Sequence, residues 1–359
     1  MEAFDRQVLF RAKCWKDVEA HAIALFTPPN GPLSEIGQSA SISVPLVLHY
    51  DTQEHVLVFE DLGHLETLDN YLAAYSCEEP TLEAKERETC HQLGSRIGEF
   101  FAKLHNPQSL KEIQASTSDD LSNPLTHDLV LRHAVLPVKN YLLEHKIPDA
   151  ETLFSRVLDD YRRPNLQDEL SFVLGDFTPS AVLLEATGDG KQRIGVIDWE
   201  FSCEGRGPHG DMAQCLAVLH LLLSAAPFGS SSFMAIEELV RGICFAYSRQ
   251  SLTWLGQTRS NIGIASENLR LRLLRSALIM HGREIINGAI EREWSRNLSI
   301  DSMVRMGAWY LERAGNDVED MVSDANWNEL LKEDHRIMLD LFGVDGDHIF
   351  PAQTTPRAD

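Results

Sequence analysis

Two aspartates, Asp176 and Asp198, sit at the margins of short apolar runs in the stretch SFVLGDFTPSAVLLEATGDGKQRIGVIDWE, residues 171–200. Phe172 to Leu174, Ala181 to Leu184 and Arg193 to Ile197 are β-branched or leucine-rich, and Thr187-Gly-Asp-Gly190 is turn chemistry, so short strands and a hairpin are predicted. Asp176 then lies in a loop after one strand and Asp198 at the end of another, and the folded hairpin brings both carboxylates to its open end. Such a pair can hold a cation and orient a hydroxyl, the two tasks that phosphoryl transfer sets a protein. Taken alone, Asp176 in Asp-x-x-Pro is a common turn-capping pattern. Its spacing from Asp198, with apolar runs on either side, favours the functional position. Asp198, following Gly195-Val196-Ile197 on a strand predicted to be buried, needs a partner or a metal because desolvating an unpaired carboxylate is costly.

The elements around this stretch follow from periodicity. Phe4, Val8, Trp15, Val18, Ala22 and Phe26 recur at helical steps and predict one or two helices ending before Pro28-Pro29, with Glu19 in the second half. Residues 29–43 are rich in Gly, Pro and Ser and predict a loop. VPLVLHYD and HVLVFEDLG predict two strands joined by a turn at Asp51 to Glu54. Thr67 to Tyr75 predicts a helix capped by Thr67. Thr81 to His105 predicts a longer one with Leu93, Ile97, Phe100, Phe101 and Leu104 on one face, stopped at Asn106-Pro107. Residues 107–125 read as loop, and Leu129 to His145 and Ala150 to Tyr161 as helices. Beyond the central strands, Asp211 to Leu223, Ser232 to Arg249, Glu267 to Trp294, Ser302 to Ala314 and Asn326 to Leu341 are helical in period, and Gln353 to Asp359 read as a frayed tail. A small strand-bearing N-terminal part before a large helical part is α+β organisation in two unequal lobes.

The net charge of −22 over 359 residues argues against a nucleic-acid footprint, which needs a clustered basic surface. Cys14, Cys77, Cys90, Cys203, Cys215 and Cys244 are widely spaced with no C-x-x-C, so unpaired thiols in a reducing compartment are expected rather than a zinc site. The N-terminus lacks the order of a signal peptide, and the apolar run from Cys215 to Phe228 is too short to span a bilayer, so a cytoplasmic protein without a membrane partner is expected.

The segment LGDFTPSAV followed by GVIDWEFSCEGRGPHGDMAQ resembles the aminoglycoside phosphotransferase, choline kinase and methylthioribose kinase group of protein-kinase-like enzymes. That group carries H-G-D-x-x-x-x-N in its catalytic loop and I-D-[WFP]-E about one hairpin later. VPLVLHYDTQEHVLVFEDLGHLETLDNYL is similar to the strand-turn-strand leading into its nucleotide hinge, and LGSRIGEFFAKLH to its helix before the catalytic loop. An ordered set of motifs over roughly residues 15–215 is more specific than any one of them. The resemblance implies a protein-kinase-like fold with a shortened N-terminal lobe and hinge over residues 1–62, a helical lobe over 63–350 and a tail over 351–359. It implies ATP and Mg²⁺ as cofactors and a small-molecule acceptor. Asp176 would accept or orient the substrate hydroxyl proton, and Asp198 would bind Mg²⁺. Phe59, Glu60, Asp61 and Leu62 would form the hinge against adenine, and Glu19 would be the helix glutamate that pairs with a phosphate-binding lysine. Asp211 would brace the loop after the metal site.

The chain also departs from the pattern. Leu174 stands where the family has histidine, and Ala181 where it has asparagine or serine, with Ser180 adjacent. No glycine precedes Gly31, so no glycine-rich hairpin lies before Glu19, where Lys13 and Arg11 are the stand-ins for the lysine. A catalytically degenerate, pseudokinase-like binding or scaffold protein, or a member using the cleft for other small-molecule chemistry, is therefore the alternative. Gly205-x-Gly207-x-x-Gly210 matches a dinucleotide fingerprint, but no strand ends immediately before it and Pro208 interrupts the turn, so a flexible loop is expected there. His281 and Arg283 are candidates to face the substrate cleft, with packing or capping the plainer role for His281. Glu291 to Trp294 reads as a solvated helix face with one buried aromatic.

Overall fold

The computed structural model describes residues 15–28, 31–36, 42–75, 81–117, 121–185, 192–255, 269–292, 294, 299–322 and 336–344. The predicted turn at Thr187 to Gly190, the tail from Gln353, and Lys13 and Arg11 lie outside these residues. Helix α1 (Trp15–Ala24) is followed by strand β1 (Ile42–Ser43) and by β2 (Val47–Asp51) and β3 (Val56–Phe59), an antiparallel hairpin in which Tyr50 faces Leu57. The Tyr50 hydroxyl donates to Asp17 and ties the hairpin to α1. Strand β4 (Glu66–Thr67) leads into α2 (Leu68–Ala73); Thr67 holds the cap position, but its hydroxyl makes no capping bond.

Helix α3 (Ala84–Leu104) opens on a capping box formed by Glu83 and Glu86. Leu93, Ile97, Phe100, Phe101 and Leu104 are all buried on one face, as their spacing predicts. Each such side chain contributes about 1.5–3 kcal/mol by leaving water. The segment predicted as loop from residue 107 instead holds α4 (Pro107–Ser116). Asn106-Pro107 stops one helix and starts the next: Asn106 accepts from the Gln108 amide as N-cap, and Pro107 occupies a first-turn position where its missing N–H costs nothing. The single helix predicted from Leu129 is two, α5 (Pro124–Val130) and α6 (Pro137–Glu144), joined by a π-helical turn at Leu131–Val135; α7 (Ala150–Arg162) follows.

The central strands are β5 (Leu170–Val173), β6 (Val182–Leu184), β7 (Ile194–Val196) and β8 (Cys203–Arg206). The predicted hairpin is present, with Val182 opposite Val196, and it forms the middle of a four-stranded sheet ordered β1, β7, β6, β4. Strand β5 is not part of that sheet; it pairs antiparallel with β8. The glycines predicted as a flexible loop therefore fall in a strand and in the π-helical turn Gly207–Met212, all of it buried. Helices α8 (Ala213–Ala225), α9 (Ser231–Leu255), α10 (Leu269–Glu291) and α11 (Ile300–Ala314) match the periodicity, and the short α12 (Val318–Val322) and α13 (Ile337–Leu341) follow. Most of the helix predicted from Asn326 lies outside the described residues. No helix among the described residues is long and apolar enough to cross a membrane, and Cys90, Cys203, Cys215 and Cys244 are free thiols.

Helices α3 and α9 meet at glycines. A methyl group on Gly94 would lie 2.1 Å from the Leu239 carbonyl oxygen, one on Gly98 2.4 Å from that of Ile243, and one on Gly242 2.2 Å from that of His91. The obstacles are backbone atoms, so the helices cannot accommodate a side chain without separating. Gly98→Ala should gain about 1 kcal/mol of helix propensity but lose about 3 kcal/mol to overpacking. Urea unfolding should show a net loss of about 2 kcal/mol, and an unchanged midpoint would contradict the close-approach account.

Candidate active site

Asp176 is presented by a loop that is fixed on both sides. Leu174 and Phe177 are completely buried, and the Phe177 ring stacks on Phe101 of α3 with centroids 3.8 Å apart. Gly175 between them has φ +92°, and a methyl group on it would lie 2.1 Å from the Phe201 carbonyl oxygen, so only glycine fits. Asp211, in the turn before α8, accepts from the Leu174 amide at 2.7 Å and from the Gly175 amide at 3.0 Å. His105 Nε2 lies 3.3 Å from the same carboxylate, and His105 Nδ1 is 3.0 Å from the Tyr247 hydroxyl. Asp211 thus braces, from a buried position, the loop that carries Asp176, whereas the resemblance implied the loop after Asp198. Leu174 needs no polar side chain in this arrangement: its backbone N–H is held by Asp211 while its side chain joins the core.

Asp198 follows β7 in a left-handed conformation, φ 71°, and begins the short turn Trp199–Phe201. Trp199 is fully buried, donates from Nε1 to the Val196 carbonyl at 3.1 Å, and packs its ring against Phe26, two residues beyond α1. The Ile197 amide donates to the Ala181 carbonyl, so the hairpin holds the catalytic loop and Asp198 at one end of the sheet. Asp198 remains exposed. Its carboxyl is nevertheless pushed above the usual range, first by the solvation the turn removes, then by Glu200, with Lys16 opposing. Ala181 is buried and offers no oxygen ligand beyond its backbone, and the Ser180 hydroxyl is turned to Thr178 at 2.7 Å.

Glu19 is buried on α1, 6% exposed, and Lys16 one turn earlier donates to it at 2.7 Å. The same ammonium reaches Glu200 at 3.3 Å. Burial raises the Glu19 carboxyl above its ordinary range; Lys16 opposes this, and Glu200 and Asp198 add to it. The cation that meets this glutamate among the described residues is therefore on the same helix, a partner not identified from the sequence although the three-residue spacing could have signalled it.

Phe59, Glu60, Asp61 and Leu62 run from β3 toward β4. Glu60 and Asp61 are exposed; the Glu60 amide donates to Leu46 and the Asp61 carboxylate accepts from Gly63. Arg193 on the hairpin donates to the Leu62 carbonyl at 3.2 Å, which joins this segment to the sheet carrying Asp198. None of the four lines the cavity at Asp176.

That cavity, about 1140 Å³, has Asp176, Thr178 and Gln214 on its wall together with Tyr141, Tyr161, Arg283, Glu284 and Glu291. Gln214 Nε2 donates to Asp176 Oδ1. Arg283 is the cleft residue expected from the sequence, where it holds Glu284 at 2.7 Å; His281 is instead fully buried against His220 and the Ala213 carbonyl. Glu284, Glu291 and Gln214 were not identified from the sequence. Glu284 and Glu291 lie seven residues apart, two turns along one face of α10, a spacing that does not by itself distinguish a cavity wall from solvent. Glu291 is on the exposed rim; its carboxyl is raised by partial burial and by Glu284. Asp176 is raised to about 6, chiefly by burial and further by Glu284, Asp198 and Asp211, with the Gln214 bond opposing.

A small sheet against a helical lobe, with Asp198 at the end of one sheet strand and a braced loop carrying Asp176 at a cavity, is the arrangement expected of protein-kinase-like phosphotransferases. A model described as the phosphotransferase enzyme family matches residues 35–220, and the chain belongs to that family. Two relatives described as 4-hydroxytryptamine kinase are similar to it. The one from Psilocybe cyanescens is 26% identical over 180 residues, 49% of this chain and 46% of the relative. The one from Psilocybe cubensis is 25% identical over 170 residues, 46% of this chain and 43% of the relative. The match thus spans less than half the length of either relative. Among solved structures, the GDP and kanamycin complex of APH(2")-IIia is 13% identical with a TM-score of 0.36, covering 84% of each chain. Choline kinase from Cryptosporidium parvum is 12% identical with a TM-score of 0.37, covering 81% of this chain and 78% of that one. Both structural likenesses are weak.

The elevated Asp176 has a stability consequence. A carboxyl whose folded pKa lies above its unfolded value binds more protons in the folded state between the two, so stability falls as pH rises from about 4 to about 6. Asp176→Asn should therefore be more stable than the parent above pH 6, by about 1–2 kcal/mol after allowance for partial solvent access. The difference should close below about pH 4. Urea unfolding across this range is the check, and a pH-independent difference would contradict the burial of an ionised carboxylate.

Proposed function

We propose that this chain transfers the γ-phosphoryl group of ATP to a hydroxyl of a small molecule, with Mg²⁺. The single observation that carries this reading is Asp176 at a cavity of about 1140 Å³, on a loop whose backbone Asp211 braces. With its carboxyl raised to about 6, Asp176 can orient an acceptor hydroxyl and take its proton as the oxygen attacks phosphorus. Phosphoryl transfer asks for positioning and electrostatics more than for covalent chemistry, and a loop locked by Asp211, Gly175 and Phe177 supplies positioning.

Asp198 is the residue proposed to hold Mg²⁺. An exposed carboxylate suits an ion that takes one or two protein oxygens and completes its shell with phosphates and water, and no cluster of three or more candidate ligands is present among the described residues. When bound, Mg²⁺ supplies neutralisation of phosphate charge. Lys16 keeps Glu200 occupied beside this position, while Phe59 to Leu62 are proposed to meet adenine and Glu19 to order the helix under the phosphates.

The acceptor is proposed to be a hydroxylated amine with an aromatic ring. Glu291 offers negative charge, beside a Glu284 paired with Arg283, and Tyr141 and Tyr161 offer aromatic rings in the same cavity, a combination that suits an ammonium group on an aromatic frame. The relatives' description as 4-hydroxytryptamine kinases supports the same chemistry. The degenerate reading is less supported, since the position lacking histidine is braced through its backbone.

Purified protein with ATP, Mg²⁺ and 4-hydroxytryptamine should release ADP in step with acceptor phosphorylation. Asp176→Asn should lower kcat about a thousand-fold or more while nucleotide still raises the melting temperature. Asp198→Asn should remove the Mg²⁺ dependence of that shift. A wild-type protein whose melting temperature does not respond to any nucleotide with Mg²⁺ would refute the reading.

A further inference from the structure

The hydrogen bond on the Asp176 side chain comes from Gln214, the second residue of α8, which lines the cavity beside it. Three residues earlier, Asp211 holds the backbone amides of Leu174 and Gly175. A three-residue spacing at the start of a helical element places two side chains on one face. One rigid segment therefore grips the catalytic loop at two points, its backbone through Asp211 and its carboxylate through Gln214. That segment is itself anchored: Asp211 meets the buried His105, His105 meets Tyr247 of α9, and α8 packs deep in the helical lobe.

We propose that Gln214 is a positioning residue for phosphoryl transfer, its amide fixing the rotamer and the ionised state of Asp176 while Asp211 fixes the loop that carries it. This rests on the phosphotransferase reading of the site. The physical need is clear from the surroundings of Asp176. Glu284 faces it from α10 with Arg283 bound to that glutamate, Asp198 faces it from the end of β7, and Asp211 from the turn before α8. Arg206 on β8 also lines the cavity, but its guanidinium is engaged by Asp160 at 2.6 Å and by Asn165 at 2.8 Å. Three carboxylates thus oppose ionisation of Asp176, burial opposes it further, and the Gln214 amide supplies the countering donor. A neutral donor does this without neutralising the base: an arginine or lysine at position 214 would form an ion pair and withdraw Asp176 from the acceptor hydroxyl, whereas an amide leaves Oδ2 to the substrate.

Two variants separate the donor from mere bulk. Gln214→Met keeps the length and removes the N–H; Gln214→Asn keeps the amide but draws it back by one carbon. In each, the ¹³C titration of the Asp176 carboxyl, assigned with Asp176→Asn, should move up by about one pH unit, as loss of one hydrogen bond to a charged group requires. In each, kcat should fall about ten- to a hundred-fold with the nucleotide KM within about twofold of wild type. An unmoved titration midpoint in both variants would overturn the proposal, as would a shifted midpoint with unchanged kcat. Absence of any transfer by the unmodified protein would tell against the phosphotransferase reading alone, with the titration still deciding whether Gln214 holds the carboxylate.

Discussion

The two hydrogen bonds from the Leu174 and Gly175 amides to the buried Asp211 carboxylate are the constraint on which the site depends. Both donors are backbone groups on the residues immediately before Asp176, so they set the path of the chain rather than a single rotamer. A buried carboxylate is tolerated only when its oxygens are satisfied, and here both are, with His105 adding a third contact. The same interaction explains how the loop dispenses with histidine. The function of that position, a brace on the loop, is carried by an acceptor from another element, and the side chain is free to pack as leucine.

The second carboxylate is placed by different means. The β6–β7 hairpin and the buried Trp199 place Asp198 at the end of β7, where its left-handed backbone begins the Trp199–Phe201 turn. Glu19, Lys16 and Glu200 then link α1 to the turn that begins at Asp198, so the N-terminal helix is coupled to that turn by one lysine between two acids. Asp176 is half-buried and its carboxyl is raised, whereas Asp198 is exposed. Two similar side chains are thus set to different tasks by their surroundings.

Local patterns were legible where a single segment decides its own structure. The apolar stripe from Leu93 to Leu104 demanded one buried helix face, and the runs around Asp176 and Asp198 demanded strands and a hairpin. Reading failed where one signal had two meanings. Asn106-Pro107 ends α3 and also caps α4, and only the first of these was read; Gly205 to Gly210 carried turn chemistry, but Gly205 is held in a strand by its pairing with β5 and Gly207 to Gly210 lie in a buried π-helical turn. The site shows the same division. Asp176, Asp198 and Asp211 could be singled out from motif order, whereas Gln214 and Glu284 could not, because nothing local marks a helical glutamine or glutamate as facing a cavity; Lys16 had a local signal in its three-residue spacing from Glu19 that was not read.

The sequence by itself determined the long helices and the strands of the two hairpins, and the two aspartates around which a family pattern could be recognised, because periodicity and turn chemistry act within about ten residues. Only the tertiary structure decided what those aspartates can do. Desolvation and the approach of like charges depend on contacts between residues distant in the chain, such as Asp176 with Gln214 and Glu284, or Lys16 with Glu200. Those contacts set the proton affinity of a carboxylate, and no spacing along the chain encodes them.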